Sequence, residues 1–370
     1  MVSTRAMRWS VPLALVVCVA SALPQRAQAP PLRSSFASLV AELSEPPGYF
    51  DTDNLISNER SYLHVVPELR ALAGHNGRGV YLGVGPDQNF SYIAHLRPSL
   101  AIVIDIRREN LLLHLLFKAL FAEAQTRVEY LSMLTGRPTP LPLTDWRQRS
   151  IDEMVAYIDR TRPLGEADLR ATRVRLTRLV DSFGVPLDDS DRATIDRFHR
   201  RFIDEGLSLQ FNSFGRPPQY GYPDFRDLLL EVDSHETRRS YLASEEDFQF
   251  VRRLQTEDRI VPIIGDLSGA TALAAVAKFL SRENLQVAAF YTSNVEFYLF
   301  RAGRFADFIA NIRRLPRLPR SVIVRSVFTG GGAGAARRAG YNSVSLTQPV
   351  ETLVDGYAKG RFRDYLELTR

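Results

Sequence analysis

Apolar and polar positions alternate along this chain in blocks that predict strands followed by helices. Short, largely apolar runs occur at 80–84, 101–106, 259–264, 287–291 and 321–328, and serine alternates with apolar residues at 343–346. Such runs are typical of strands that a parallel sheet buries on both faces. Amphipathic stretches such as 270–280 and 305–312 separate several of them. The alternation predicts a doubly wound, mostly parallel α/β sheet of the Rossmann-like type.

A long segment without strand signals lies between the second and third predicted strands. A helix is predicted over 107–133, where leucines and alanines keep one face apolar, and further helices rich in Arg and Asp are predicted between 146 and 211. We therefore predict a large helical insertion over 111–255. It would divide the N-terminal helices and first half of the sheet domain, 30–110, from the second half, 256–370.

The first 29 residues have the pattern of a bacterial secretory signal peptide. Arg5 and Arg8 precede an apolar run over 9–20 that is too short to span a bilayer, and small residues near 20–22 and 27–29 offer cleavage sites. This predicts an exported protein, periplasmic or secreted, whose mature chain has no membrane span. An uncleaved anchor and a start codon assigned too far upstream are the alternatives.

The composition of the chain bears on two questions: whether it binds nucleic acid and whether it holds a metal ion. The net charge of +5 comes from 47 basic residues, all arginine except three lysines, and they are scattered among 42 acids. No basic block or nucleic-acid-binding motif is present, so we do not predict nucleic acid as a partner. The only cysteine, Cys18, lies in the signal segment, and the six histidines lack metal-ligand spacing, so no metal site is predicted.

Glycine and polar residues follow the carboxyl ends of the predicted strands. The edge at which parallel strands end is where open α/β sheets bind ligands. The full G-x-G-x-x-G fingerprint is absent because position 88 is Gln, which argues against a nicotinamide cofactor. A plain structural turn is the alternative for the glycines. The predicted cleft residues are Gly83, Gly85, Asn89, Asp105, Asp266 and Asn294.

Three short motifs together resemble the Rossmann-like S-adenosylmethionine-dependent methyltransferases: Gly83-Val84-Gly85, Val103–Ile106 and Ile264–Leu267. The resemblance covers 79–106 and 259–330. It implies that family's fold and S-adenosylmethionine as the cofactor.

The same resemblance implies roles for individual residues. The glycine turn would wrap the methionine and ribose end of the cofactor, Asp105 would hold the ribose hydroxyls, and Asp266 would contact the adenine. The loop 291–294 would face the substrate. If methyl transfer occurs, Glu296 is the candidate base, provided that its pKa is raised.

The whole mature chain also resembles a family of uncharacterised bacterial proteins with this fold. Residues 50–55, Phe-Asp-Thr-Asp-Asn-Leu, and 290–296, Phe-Tyr-Thr-Ser-Asn-Val-Glu, carry this resemblance. It implies a fold and no activity.

Two hypotheses on function stay open. One is methyl transfer from S-adenosylmethionine. The other is a non-catalytic extracytoplasmic protein, binding a small ligand or a partner, that has lost cofactor binding. Tyr81 replaces the acid that methyltransferases usually carry, and Asp87 replaces a third glycine. Export would also remove the protein from the cytoplasmic supply of the cofactor, so the sequence supports no decision on whether the protein is an enzyme.

Two further groups have both a functional and a structural interpretation. Asp51, Asp53 and Glu59 are close enough in sequence to converge on a cation, and Asx-type turns are the alternative. The glycine-rich residues 329–334 have the composition of a loop that wraps an anion, and a flexible loop is the alternative.

Overall fold

The computed structural model describes residues 34–73, 79–214, 221–328 and 340–369. The predicted signal peptide, 1–29, and the glycine-rich loop, 329–334, lie outside the described residues.

One six-stranded sheet organises the described chain. Five strands are parallel, and the last is antiparallel to its neighbour β5. The spatial order is β3-β2-β1-β4-β5-β6. The chain adds β2 and β3 on one side of β1 and then returns to add β4, β5 and β6 on the other side, so the switch point lies between β1 and β4. The prediction of an α/β fold with a mostly parallel sheet is confirmed. The strands are β1 Gly79–Gly83, β2 Leu100–Asp105, β3 Ile260–Ile264, β4 Gln286–Ser293, β5 Arg317–Phe328 and β6 Ser343–Pro349.

Helices cover both faces of the sheet, which is why the strands are continuously apolar. All five residues of β1 and of β3 are buried. The described residues form sixteen α-helices and two 3-10 helices, the latter at Arg60–Val65 and Gly206–Ser208. The α-helices are α1 Phe36–Leu43, α2 Val66–Ala71, α3 Gln88–Leu96, α4 Arg108–Glu123, α5 Arg127–Leu134, α6 Leu143–Trp146, α7 Ile151–Arg160, α8 Glu166–Ser182, α9 Asp189–Glu205, α10 Phe225–Leu229, α11 Glu245–Thr256, α12 Ala272–Arg282, α13 Val295–Arg301, α14 Phe305–Arg314, α15 Val350–Ala358 and α16 Tyr365–Thr369.

Helix α4 connects the sheet to the helices that follow β2. It packs on β3 on one side and on α8 and α9 on the other, and twelve of its sixteen residues are buried. Helix α11 packs against both α3 and α4 before the chain enters β3. The segment between β2 and β3 therefore begins and ends with helices that belong to the layers over the sheet.

The helix predicted over 107–133 is two helices in the structure. It is interrupted after Glu123, and Thr126 begins α5 by accepting a hydrogen bond from the backbone N–H of Glu129. Threonine followed three residues later by glutamate is a known N-terminal capping pattern. That pattern, present in the sequence, marks the boundary that apolar periodicity alone does not show.

No helix within the four described ranges combines the length and the apolar character needed to cross a bilayer.

Asn89 builds the turn that follows β1. Its side-chain amide donates to the carbonyl oxygens of Val84 at 2.9 Å, Gly85 at 3.2 Å and Pro86 at 2.7 Å. The hydroxyl of Tyr81 donates to Asn89 Oδ1 at 2.7 Å. Both side chains are fully buried, so the turn between β1 and α3 is held from inside the protein.

We predict that Gly83→Ala destabilises the fold by about 1–3 kcal/mol, the usual cost of overpacking a tight core. A Cβ atom at this position would overlap Asn89 Oδ1 and lie 2.6 Å from the Tyr81 hydroxyl. Urea unfolding measures the change. Gly165→Ala is the matched control because no atom lies within 4 Å of its added Cβ. Equal stability of the two variants would contradict this account of the turn.

Candidate functional site

A cavity of about 320 Å³ lies at the carboxyl ends of β1 to β4. Its size is within the range of small-ligand sites, and its place is the switch point at which such sheets bind ligands. The segment 50–59, which precedes the sheet, contributes Phe50, Asn54 and Glu59 to its wall, and α13 contributes Val295 and Tyr298. The aromatic rings of Phe50 and Tyr298 meet edge to face with centroids 5.0 Å apart.

The structure brings four of the six predicted cleft residues to this cavity. Gly85, Asp105, Asp266 and Asn294 all line it, one at the end of each of the strands β1 to β4. Gly83 and Asn89 are absent from the lining. Asn89 is wholly buried and its hydrogen bonds go to the turn, so its place in the structure is behind the cavity wall.

Asp105 is held by an arginine two residues further on. Its Oδ1 accepts from the backbone N–H and from Nε of Arg107, both at 3.0 Å, and its Oδ2 accepts from Nη2 at 2.9 Å. The remaining guanidinium nitrogen of Arg107 donates to the carbonyl oxygens of Thr52 and Asp53. Arg107 therefore ties the end of β2 to the segment 50–59.

Asp266 lies in a turn that a distant glutamate organises. Its Oδ1 accepts from the backbone N–H and the hydroxyl of Ser268, both at 2.8 Å. Glu45 accepts from the backbone N–H groups of Asp266 at 2.6 Å and of Ala272, the first residue of α12, at 3.0 Å. The sequence analysis did not identify this role of Glu45.

Glu59 lines the cavity, although the sequence analysis did not include it among the predicted cleft residues. Its carboxyl group is buried, and the hydroxyls of Tyr291, Ser293 and Ser326 all donate to it. Burial raises the pKa of Glu59 above its usual range, and the three hydroxyl donors offset part of that rise. Within the described part of the chain, no basic side chain forms an ion pair with it.

Asp53 and Glu59, which the sequence analysis considered together with Asp51 as a cation group, have separate partners. Asp53 forms an ion pair with Arg201 and accepts from the backbone N–H of Asn212, whereas Glu59 contacts hydroxyls of β4 and β5. Over the residues that the structure describes, no group of three or more His, Cys, Asp or Glu side chains is arranged to hold a metal ion.

Glu296, the candidate base, does not line the cavity. It forms a bidentate ion pair with Arg325, at 2.6 Å and 3.1 Å, and both side chains are almost wholly buried. Both of its carboxylate oxygens are engaged by the guanidinium group. Glu296 therefore connects α13 to β5 through this ion pair, and its carboxylate does not face the cavity.

Two ionisable groups lie behind the glycine turn. His114 Nε2 lies 2.9 Å from the carbonyl oxygen of Gly85, so that nitrogen carries the proton, and burial lowers the pKa of His114 to about 4. Asp87 accepts a hydrogen bond from the Tyr241 hydroxyl at 3.3 Å. Burial raises the pKa of Asp87 to about 7. Neither residue lines the cavity.

The fold and cavity together define an α/β protein with a small-ligand-sized cavity at the switch point of its sheet. The chain belongs to the family described as Domain of unknown function (DUF7790), which it matches over residues 55–139 and 224–361. The matched parts contain all six strands and the cavity residues Glu59, Asp105, Asp266 and Asn294. Helices α6 to α9 lie between the two matched parts. No curated protein matches the chain.

We predict that Asp87→Asn stabilises the protein at pH 8 much more than at pH 5. The carboxyl group has a pKa of about 7 when folded, against 3.8 ordinarily, so native stability falls as pH rises from about 4 to 7. At about 1.4 kcal/mol per pKa unit, the gain at pH 8 reaches up to about 4 kcal/mol. Urea unfolding of both proteins at the two pH values measures it. A difference that does not change with pH would contradict the burial of an uncompensated Asp87.

We predict that Glu296→Gln destabilises the protein by about 3 kcal/mol or more, because it leaves the Arg325 charge buried without its partner. The double variant Glu296→Leu with Arg325→Met removes both charges and recovers much of that loss. Chemical unfolding of the three proteins measures both effects. An additive loss in the double variant would argue against a paired role for these residues.

Proposed function

We propose that the cavity binds S-adenosylmethionine and that the protein transfers its methyl group to an acceptor. The observation that supports this most is the convergence of Gly85, Asp105, Asp266 and Asn294 on one cavity. Each is a residue for which the resemblance to the methyltransferases implies a cofactor contact or a place beside the acceptor. The parallel strand order brings the four residues to one edge of the sheet, and the cavity lies where they meet.

The residues of the cavity fit such a cofactor in kind. Asp105 still has acceptor capacity, because a carboxylate accepts about four hydrogen bonds and three are used by Arg107. Ribose hydroxyls are donors that suit the remaining position. Apolar side chains of Ile106 and Leu267, each next to a predicted contact residue, also line the cavity and would cover an aromatic base.

The chemistry would come from the cofactor, and the protein would supply position. A bound sulfonium group provides an activated methyl carbon. The chain's own contribution would be to hold cofactor and acceptor in line and to exclude water, through the segment 50–59 that Arg107 ties over the strand ends.

The second candidate is a small-ligand-binding protein without methyl transfer. One observation favours it: Asp105 already has both oxygens engaged by Arg107, an arrangement stable without a ribose. We also propose that the protein is exported, on the signal-like pattern of residues 1–29, which agrees more easily with this second candidate.

We predict that S-adenosylhomocysteine stabilises the purified chain in a thermal-shift titration. A ligand at a hundred times its dissociation constant adds about 2.7 kcal/mol, a shift on the order of a few degrees. Asp105→Asn is expected to weaken binding at least about tenfold, because a charge-assisted hydrogen bond contributes about 1.5–3 kcal/mol.

Asp191→Asn is the matched control. Asp191 forms the same kind of bidentate pair with Arg108, at 2.8 Å and 2.6 Å, but lies outside the cavity. Calorimetry on both variants separates loss of a ligand contact from loss of an ion pair. No binding of S-adenosylhomocysteine or S-adenosylmethionine at millimolar concentration would reject methyl transfer and leave the second candidate.

A further inference from the structure

Glu59 has an unused acceptor position beside the cavity. Among the described residues, Oε2 accepts hydrogen bonds from Tyr291 and Ser326, whereas Oε1 accepts only from Ser293. Since a carboxylate has about four acceptor positions, one remains, on Oε1. Glu59 and Ser293 both line the cavity, so a ligand there has access to the oxygen with the free position.

The charge of this carboxyl group is also uncompensated. Hydroxyl groups stabilise a carboxylate less than a cation does, and burying an ionised carboxylate without a counter-ion is costly. Asp105, a cavity carboxylate at the end of β2, has Arg107 as its counter-ion. Among the described residues Glu59 has no equivalent partner. A cation supplied by a ligand would complete the site.

A second acceptor lies nearby. The side-chain amide of Gln88 donates to the Tyr291 hydroxyl at 3.2 Å, and that hydroxyl in turn donates to Glu59. The carbonyl oxygen of Gln88 is buried and has no hydrogen-bond partner in the described structure, although Gln88 lines the cavity. Glu59 Oε1 and Gln88 Oε1 therefore both have acceptor capacity that the described residues do not fill. A ligand group with several N–H bonds could donate to both.

We propose that the part of the cavity formed by Glu59, Ser293 and Asn294 binds a protonated amine. The ammonium group provides both the positive charge and the N–H donors that this part of the cavity lacks. The neighbouring wall is apolar, with Val295, Tyr298, Leu299 and Ala302. The ligand class that fits is therefore a primary or secondary amine on an apolar carbon chain or ring.

If the proposed function holds, this amine is the methyl acceptor, an assignment that rests on that function. The ammonium group first loses a proton to the Glu59 carboxylate. Its nitrogen lone pair then forms the bond to the methyl carbon, and the carbon–sulfur bond breaks with its electron pair moving to sulfur. The products are the methylated ammonium ion and a neutral thioether, and the proton on Glu59 passes to solvent.

The test compares three probes of nearly equal size: butylammonium chloride, 1-butanol and sodium butyrate. Calorimetric titration of the unmodified chain, alone and saturated with S-adenosylhomocysteine, is expected to detect the amine and neither of the others. This ranking does not depend on any variant folding. Binding of butanol or butyrate as tightly as butylammonium would overturn the proposal.

Glu59→Gln keeps the shape and removes the charge, so the amine is expected to bind at least about tenfold more weakly. Asp87→Asn is the control, since Asp87 is another buried carboxyl group without a counter-ion among the described residues but lies off the cavity. Its amine affinity is expected to be unchanged. An unchanged amine affinity in Glu59→Gln would reject the assignment.

Two outcomes separate this proposal from the proposed function. Amine binding through Glu59 without S-adenosylhomocysteine binding would support the amine site and reject methyl transfer. The cofactor itself carries an ammonium group, so 5′-methylthioadenosine, which lacks it, serves as a comparison. If Glu59→Gln weakens S-adenosylhomocysteine but not 5′-methylthioadenosine, and no added amine binds, Glu59 holds the cofactor and the acceptor assignment is overturned.

Discussion

The cavity depends first on the turn between β1 and α3, and that turn depends on one buried amide. Asn89 donates to three successive backbone carbonyl groups, those of Val84, Gly85 and Pro86, and so helps to pair polar groups that the turn buries. Tyr81 holds Asn89 on one side, and His114 contacts the carbonyl oxygen of Gly85 on another. Because of these contacts, Gly85 lines the cavity while the backbone carbonyl groups of the turn have hydrogen-bond donors on their buried side. Tyr81 thus has a definite structural role in this turn.

Four carboxyl groups around this turn are stabilised in different ways, and the differences indicate their roles. Glu296 is neutralised by Arg325 in the interior, and Asp105 by Arg107 at the cavity. Asp87 has only a tyrosine hydroxyl, and burial raises its pKa to about 7. Glu59 has three hydroxyls, lines the cavity and lacks a cation among the described residues. Of the four, Glu59 is the carboxyl group best suited to bind a ligand, because it lines the cavity and has no positively charged partner among the described residues.

Much of the fold follows from the sequence because its signals are local. The largely apolar runs correspond to β1 to β5, and the alternating segment at 343–346 lies in β6. Residues at the ends of β1, β2, β3 and β4 meet at one edge because parallel strands end on the same side. Where local signals compete, the sequence reading is less accurate: the apolar stripe over 107–133 hides the cap at Thr126 that separates α4 from α5. Likewise Glu45 and Glu59 precede the sheet in the chain and carry no motif, so nothing near them in sequence indicates a place at the strand ends.

The sequence by itself therefore determined the α/β alternation, the order of strands along the chain and a set of six candidate cleft residues, of which four line the cavity. Only the tertiary structure decided which carboxyl groups are available to a ligand. The hydrogen bonds of Glu59 join it to residues 232, 234 and 267 positions away, and Glu296 meets an arginine on a different strand. The physical reason is that availability depends on burial, counter-ions and free acceptor positions. These arise from contacts between distant segments, which local periodicity and spacing do not record.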